Sequence, residues 1–590
     1  MKKLLSFILA VVVVCSALVS CSTLEKNDKG SVVTMYLADE IYDFDPAVGY
    51  TDTATAKILS LMFEGLTTLN EDGEWEKAMM KSYKYIEPEK EGDTYRLQIE
   101  LRETKWSDGR RVQANDFVKA WERIVDPNFK CEAASLLYDI KNAQKIDKGD
   151  KTVSDLGVDA IETYVLEIEF EKDIDLDAFF KKCASVALVP IRSDKMMKND
   201  EWAKRASSME TNGPFTVRKI AYGDQLTLER SPYYYRDTES SQALDKYVIP
   251  YRIIVLFRYG DSTAQLEKFE AGNIFYLGQI ALASRGDYAK KAEVTDSAIT
   301  TSLYFNVNND LFKKAEVRQA LSLALDREAI AEKLVFAKPA TGFVPFKVDD
   351  ANSKGDFREE GGDLIKTSAN VEEAKSLLKK AGVTSGSFSI TTRDNEVEVA
   401  VAEAAAEAWK ALGFTVKVEK LGAKQLPNTV ENQSIVYEDE FATAYSASDF
   451  DVILVDYNAL APSAFTVLAP FSAEYSGNGT DMLSENYDKI GHVTGYSSEE
   501  YDKLIAEAYD ADKSEDEIKA LHAAEELLLK DMPVVPVVFQ QDAFVSSNEV
   551  SGIKSSYWGR DFKDMKMKNY MEVKESIQAE LNEDEAEAKN

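Results

Sequence analysis

Residues 101–127 read LRETKWSDGRRVQANDFVKAWERIVDP, and this stretch decides more about the fold than any other. Ser107-Asp108-Gly109 is a turn, because an aspartate side chain bonds the backbone that follows it and glycine accepts a positive φ without steric cost. Phe117, Trp121 and Ile124 then recur at helical spacing, so one apolar helix face is expected from 116 to 125. Asp126-Pro127 ends it, since the residue before a proline is pushed out of the α region. Trp106 and Trp121 are expected in the core, where most large aromatic side chains lie.

The pieces Leu101-Arg102, Lys105-Trp106-Ser107-Asp108-Gly109, Asp116-Phe117-Val118, Trp121, Arg123-Ile124 and Asp126-Pro127 keep the order and spacing of a known signature. In them the chain resembles the family 5 solute-binding lipoproteins of ABC importers, the oligopeptide- and dipeptide-binding type. Asp43-Phe44-Asp45-Pro46, Glu64-Gly65-Leu66, Leu156-Gly157-Val158, Asn212-Gly213-Pro214-Phe215, Glu270-Ala271-Gly272, Val317-Arg318-Gln319-Ala320-Leu321, Lys338-Pro339-Ala340, Gly495-Tyr496-Ser497 and Asp531-Met532-Pro533 extend the likeness over nearly the whole mature chain.

The resemblance implies an α/β, two-lobed periplasmic-binding-protein-like fold (type II, cluster C) with a small inserted extra domain. It divides the chain into a discontinuous lobe I (31–69, 212–297 and 533–574), an inserted domain II (70–211) and a lobe III (298–532). The hinge is expected at the crossings near 296–300 and Asp531. Residues 575–590, rich in Glu and Ala, are expected to form a solvated acidic tail.

At the N-terminus, Lys2-Lys3 precede an apolar run and then Leu18-Val19-Ser20-Cys21, the layout of an export signal ending in small residues. The run is shorter than the roughly 20 apolar residues of a spanning helix, and Ser6 and Ser16 interrupt it. Residues 1–20 are therefore expected to be a cleaved signal, Cys21 a lipidated first residue, and 21–30 a tether on the extracytoplasmic face of the cell membrane. The formal charge of −33 repels nucleic acid, so DNA and RNA partners are not expected. Cys131 and Cys183 remain in the mature chain, as a disulfide or as two buried thiols.

At 590 residues the chain exceeds what one core supports. Helical patterns at 53–62, 317–325, 371–381, 397–412, 498–511 and 515–530 alternate with short apolar strands at 251–257, 414–418 and 451–455, which reads as α/β lobes.

The resemblance implies a ligand enclosed between lobes, its backbone paired with strand edges and its side chains loosely read. The loop Asp456-Tyr457-Asn458-Ala459-Leu460 matches the family's aromatic-rich contact region, and here the sequence departs from the pattern. Tyr457 stands where the oligopeptide binders have Trp, and Leu460 where they have the Asp that pairs with the peptide's amino group. Leu cannot accept that charge, a loss on the order of 2–5 kcal/mol. Either Asp456 or Glu40 supplies the carboxylate, or no free amino terminus is buried here. Tyr457 is a candidate for packing on ligand or on its own lobe, Asn458 for an amide contact, and Asp456 for a charge or a strand-end turn. A second family contact, a Tyr after the Asp-Pro, falls near Ala133, with Tyr138 as its possible substitute. Tyr36 and Glu40 are weaker candidates.

A secreted hydrolase is the competing class. His492 and His522 are the only histidines; neither lies in a His-Glu-x-x-His helix, and no Gly-x-Ser-x-Gly elbow occurs. His522 is expected in a solvated or capping role. No catalytic residue, metal or cofactor is assigned. The expected partners are an oligopeptide and the ABC permease subunits, with the protein monomeric; an oligosaccharide, a metal chelate or a sensed peptide pheromone are the alternatives.

Overall fold

The computed structural model describes residues 30–37, 43–90, 92–196, 202–221, 224–234, 249–257, 262–350, 355–425, 437–476 and 492–567. The leader, Cys21, Glu40 and the acidic tail lie outside the described residues.

The opening stretch folds around one carboxylate. Helix Ala114–Ile124 buries Phe117, Trp121 and Ile124 together, as its spacing predicts. Asp116, fully buried, accepts Trp106 Nε1 at 3.0 Å, the Gln113 backbone at 3.0 Å and the Arg110 guanidinium at 2.9 Å. Three donors answer one buried charge, the condition under which such a charge is tolerated. Gly109 has φ +89°, as the turn requires. Trp121 donates to the Leu188 carbonyl at 2.9 Å, and Arg123 grips Asp45 through two bonds of 2.9 and 2.6 Å. The helix stands over a four-stranded antiparallel sheet, in order Met80–Ile86, Tyr95–Leu101, Val165–Phe170 and Val158–Glu162.

The main sheet has eleven strands, and two long ones, Glu293–Phe305 and Val534–Ser546, run antiparallel through its middle. On one side Tyr276–Leu277, Val32–Tyr36, Arg252–Leu256, Gln225–Arg230 and Phe215–Ala221 follow in order. On the other lie Val452–Asn458, Gly386–Arg393 and Phe414–Leu421, the last two parallel. The two halves thus share only the long pair. Its register breaks between Asp296 and Thr300, opposite Gln541 and Phe539.

Five of the helices packed on this frame are Thr53–Met62, Val371–Ala381, Glu396–Lys410, Glu499–Asp510 and Ser514–Asp531. They coincide with the apolar patterns to within two residues, and Gly382 closes the second with φ +70°. Asn212 and Gly213 pin the segment that follows the first. The Asn212 side chain bonds both the N–H and the C=O of Glu64, at 3.1 and 2.9 Å, while a Cβ on Gly213 would lie 2.5 Å from the Met62 backbone. Cys131 and Cys183 are buried and unpaired, which settles the disulfide question for two thiols. Burial pushes the Cys131 thiol up to about 12 and raises Cys183 as well, so both are poor nucleophiles.

Candidate functional site

A cavity of about 80 Å³ lies between helix Thr53–Met62, the segment after it, residues 184–189, the end of strand Val452–Asn458 and the hairpin 554–561. Tyr50, Phe63 and Trp558 form apolar wall, and Asn458 and Leu460 both face it. Its charged lining is Lys57, Arg560 and Lys563 against Glu64 and Asp561, with Asp542 behind it. Lys57 pairs with Asp542 at 2.5 Å, Arg560 lies 3.7 Å from the second Asp542 oxygen, and Lys563 pairs with Asp561 at 3.3 Å. Glu64 accepts the Tyr234 hydroxyl at 2.6 Å.

The other described residues expected at the site do not line this cavity. Tyr457 is buried, its hydroxyl donating to the Thr466 carbonyl at 3.2 Å and its ring 5.4 Å from Phe343. Asp456 accepts Thr301 Oγ1 and Gln540 Nε2, each at 2.6 Å. Ala459 is buried and its N–H bonds the Ala298 carbonyl at 2.8 Å, tying the loop to the long strand. Tyr138 is buried too; its hydroxyl donates to Asp147 at 2.6 Å, and its ring meets Tyr475 and Tyr509 edge-on at 6.0 and 6.4 Å. Tyr36 ends its strand fully buried in a cluster with Leu266, Leu277 and Ala543.

Sequence reasoning passed over the cavity-lining Lys57 and Arg560. Tyr445 Oη donates to Glu132 at 3.0 Å, across the seam between the Asp-Pro loop and helix Glu440–Ser446. The available signal was position: Arg560 stands in a Tyr-Trp-Gly-Arg run.

The histidines are structural. His492 is buried against Thr494 Oγ1 at 2.8 Å, and burial holds it down at about 3. His522 stacks on Phe357 at 4.0 Å and meets Asp350 at 3.0 Å, so it is neither simply solvated nor a cap. Among the described residues no group of His, Cys, Asp or Glu gathers to hold a metal ion, and no helix is long and apolar enough to cross a membrane.

Burial also raises carboxyls: Glu398 to about 8, Asp147 to about 7 and Asp43 to about 6. Each is protonated in the folded state where the unfolded chain ionises. Their stabilisation is complete below the ordinary carboxylate range and is lost as pH rises toward 8. His492 has the opposite sense, losing stability as pH falls below 6.5 toward 3. Three groups oppose one, so urea denaturation is expected to show higher stability at pH 6 than at pH 8, by on the order of 1–3 kcal/mol. Glu398→Gln should shrink the difference. A wild type that is more stable at pH 8 would contradict the assignment.

The model of the bacterial extracellular solute-binding proteins, family 5, matches residues 74–479. Among curated relatives, the dipeptide-binding protein DppE of Bacillus subtilis is 28% identical over 526 residues, covering 87% of this chain and 88% of its own. The oligopeptide-binding protein OppA of Bacillus subtilis is 25% identical over 546 residues, covering 90% and 91%. Among solved structures, Listeria monocytogenes OppA bound to peptide superposes with a TM-score of 0.75 at 21% identity, over 91% of this chain and 99% of that one. The fold is thus the two-lobed α/β one of the OppA-type binding proteins, and the chain belongs to the bacterial extracellular solute-binding proteins of family 5.

Proposed function

We propose that the protein, lipid-anchored at Cys21 outside the cell membrane, captures peptides between its lobes and delivers them unchanged to an ABC permease. Lobe I would be 31–69, 212–297 and 533–574, domain II 70–211 and lobe III 298–532, moving about the register break at 296–300. The observation that carries this reading is the cavity itself: segments from all three parts line it, with the aromatic rings of Tyr50, Phe63 and Trp558 and charges of both signs. Such a lining suits a zwitterionic, mostly apolar chain better than a polyanion. The names of the relatives, dipeptide- and oligopeptide-binding, support the ligand class.

The test is native mass spectrometry of the purified protein, followed by denaturation and sequencing of what is released, with calorimetry against peptide pools. Released or titrated peptide of unchanged mass is expected. Cleaved peptide, or a released glycan with no response to peptide, would overturn the proposal.

A further inference from the structure

Strands Lys554–Ser556 and Gly559–Asp561 form a hairpin whose turn is Tyr557-Trp558. Turns of this kind are dominated by small and polar residues, because the tip of a hairpin meets water. This one carries two large rings, 4.5 Å apart and nearly perpendicular. The rings go to different places. Trp558 lines the cavity together with Ser556, Arg560 and Asp561, whereas Tyr557 is 1% exposed and does not line it.

Tyr557 is held by stretches of chain far from its own. Gly73, in the proposed domain II, lies against the ring, since a Cβ there would be 3.6 Å from it. Lys347, in the proposed lobe III, donates from Nζ to the Tyr557 carbonyl at 2.9 Å and lies 5.1 Å from the centre of the same ring. Lys347 has φ +68°, a left-handed conformation uncommon for a residue with a side chain, and its N–H is fixed by Asp356 Oδ2 at 2.6 Å. Residues kept in such conformations gather at ligand clamps and switch regions. The base of the hairpin stays with the proposed lobe I, where Arg560 lies over Phe544 at 4.1 Å and a Cβ on Gly559 would meet Lys57 Cε at 2.9 Å. The Tyr557 hydroxyl is buried with no hydrogen-bond partner among the described residues. A tyrosine buried for good normally satisfies its hydroxyl. One that leaves its slot whenever the parts separate regains water each time, so the unmade bond opposes closure and eases reopening.

We propose that hairpin 554–561 is a strap over the ligand, an inference that rests on the peptide-capture reading. It is rooted in lobe I, its Tyr557 docks between Gly73 and Lys347 only when the parts close, and docking sets Trp558 against the bound molecule. Tyr557 and Lys347 are then positioning residues. They act on how long the ligand stays, because the strap must lift before the ligand leaves.

The test measures association and dissociation rates by stopped flow, with a synthetic copy of the most abundant peptide released from the purified wild type, alongside thermal melts of each ligand-free variant. Lys347→Met, which removes the bond to the Tyr557 carbonyl, is expected to speed dissociation about tenfold or more while changing association less than about threefold. Tyr557→Phe, which keeps the ring and removes the unanswered hydroxyl, is expected to slow dissociation about fivefold or more and to leave the ligand-free melting temperature unchanged. Lys554→Ala is the control. Lys554 is exposed and pairs with Asp564 at 2.6 Å on its own side of the hairpin, so both rates should hold. If Tyr557→Phe raises the ligand-free melting temperature and leaves dissociation alone, the ring is permanent core. If Lys347→Met leaves dissociation unchanged, or Lys554→Ala speeds it equally, the hairpin is no strap. Each of these results overturns the inference while leaving peptide capture intact. A wild type that neither releases nor binds peptide overturns both.

Discussion

Arg358→Ala is expected to lower the unfolding free energy by about 3–5 kcal/mol, because it leaves a carboxylate buried without its cation. Arg358 is 2% exposed and Glu525 is fully buried; the guanidinium reaches Glu525 Oε1 at 2.6 Å and the Gly362 carbonyl at 2.7 Å. The same Glu525 oxygen accepts the backbone N–H groups of Phe343 and Val344, at 2.7 and 2.8 Å. One oxygen therefore serves three donors, and removing the cation weakens the anchor of the Phe343 turn. Gly342 is part of the arrangement, since a Cβ there would fall 1.5 Å from Arg358 Nη1.

The loss should reach the site as well as the fold. Phe343 packs on Tyr457 at 5.4 Å and on Tyr304 at 6.5 Å, so a loosened turn frees both rings. Replacing both charges, as Arg358→Met with Glu525→Leu, should recover part of the stability, because no buried charge is then unpaired. It should not recover all, since the two N–H groups lose their acceptor. Chemical denaturation checks the series. A cost under 1 kcal/mol for Arg358→Ala would mean that water reaches Glu525.

These charges show where sequence reading ends. The helix at 114–124 was legible because its information is local: apolar spacing, a turn and a proline stop. Helices 53–62 and 371–381 were legible for the same reason, and the fold class followed from motif order. Arg358 and Glu525 are 167 positions apart, and nothing local marks either as buried. Along the loop 456–460 the sequence did not show which side chains face the cavity. Asn458 and Leu460 face the cavity, whereas Tyr457, one residue away from Asn458, turns back to Thr466, as alternation along a strand requires.

Lys181→Ala is expected to weaken ligand binding by roughly 30-fold or more while leaving the melting temperature of the ligand-free protein nearly unchanged. Lys181, on helix Leu176–Lys182, is buried and pairs with Asp349 at 2.9 Å and with Glu74 at 3.6 Å. Asp349 bridges in parallel to Ser463, in the loop that continues from Leu460, so this pair crosses the seam beside the cavity. When the seam opens, both groups regain water and the pair contributes little. Its energy therefore belongs to the closed state, and a ligand that binds by closing the lobes gains only what the closed state offers over the open one. Truncating one partner of a buried, hydrogen-bonded charge pair costs about 2–5 kcal/mol, which appears as affinity here because folding of the open form does not depend on it. Lys148 supplies the comparison. It crosses the same seam to Glu474 at 3.0 Å, but Glu474 is about half exposed, and such pairs contribute about 0.2–1 kcal/mol, so Lys148→Ala should change affinity less than about fivefold. X-ray scattering with saturating peptide should find Lys181→Ala more open than wild type and Lys148→Ala the same. If the two variants lose affinity equally, the seam is wet throughout and closure is carried instead by the ring cluster of Tyr138, Tyr475 and Tyr509.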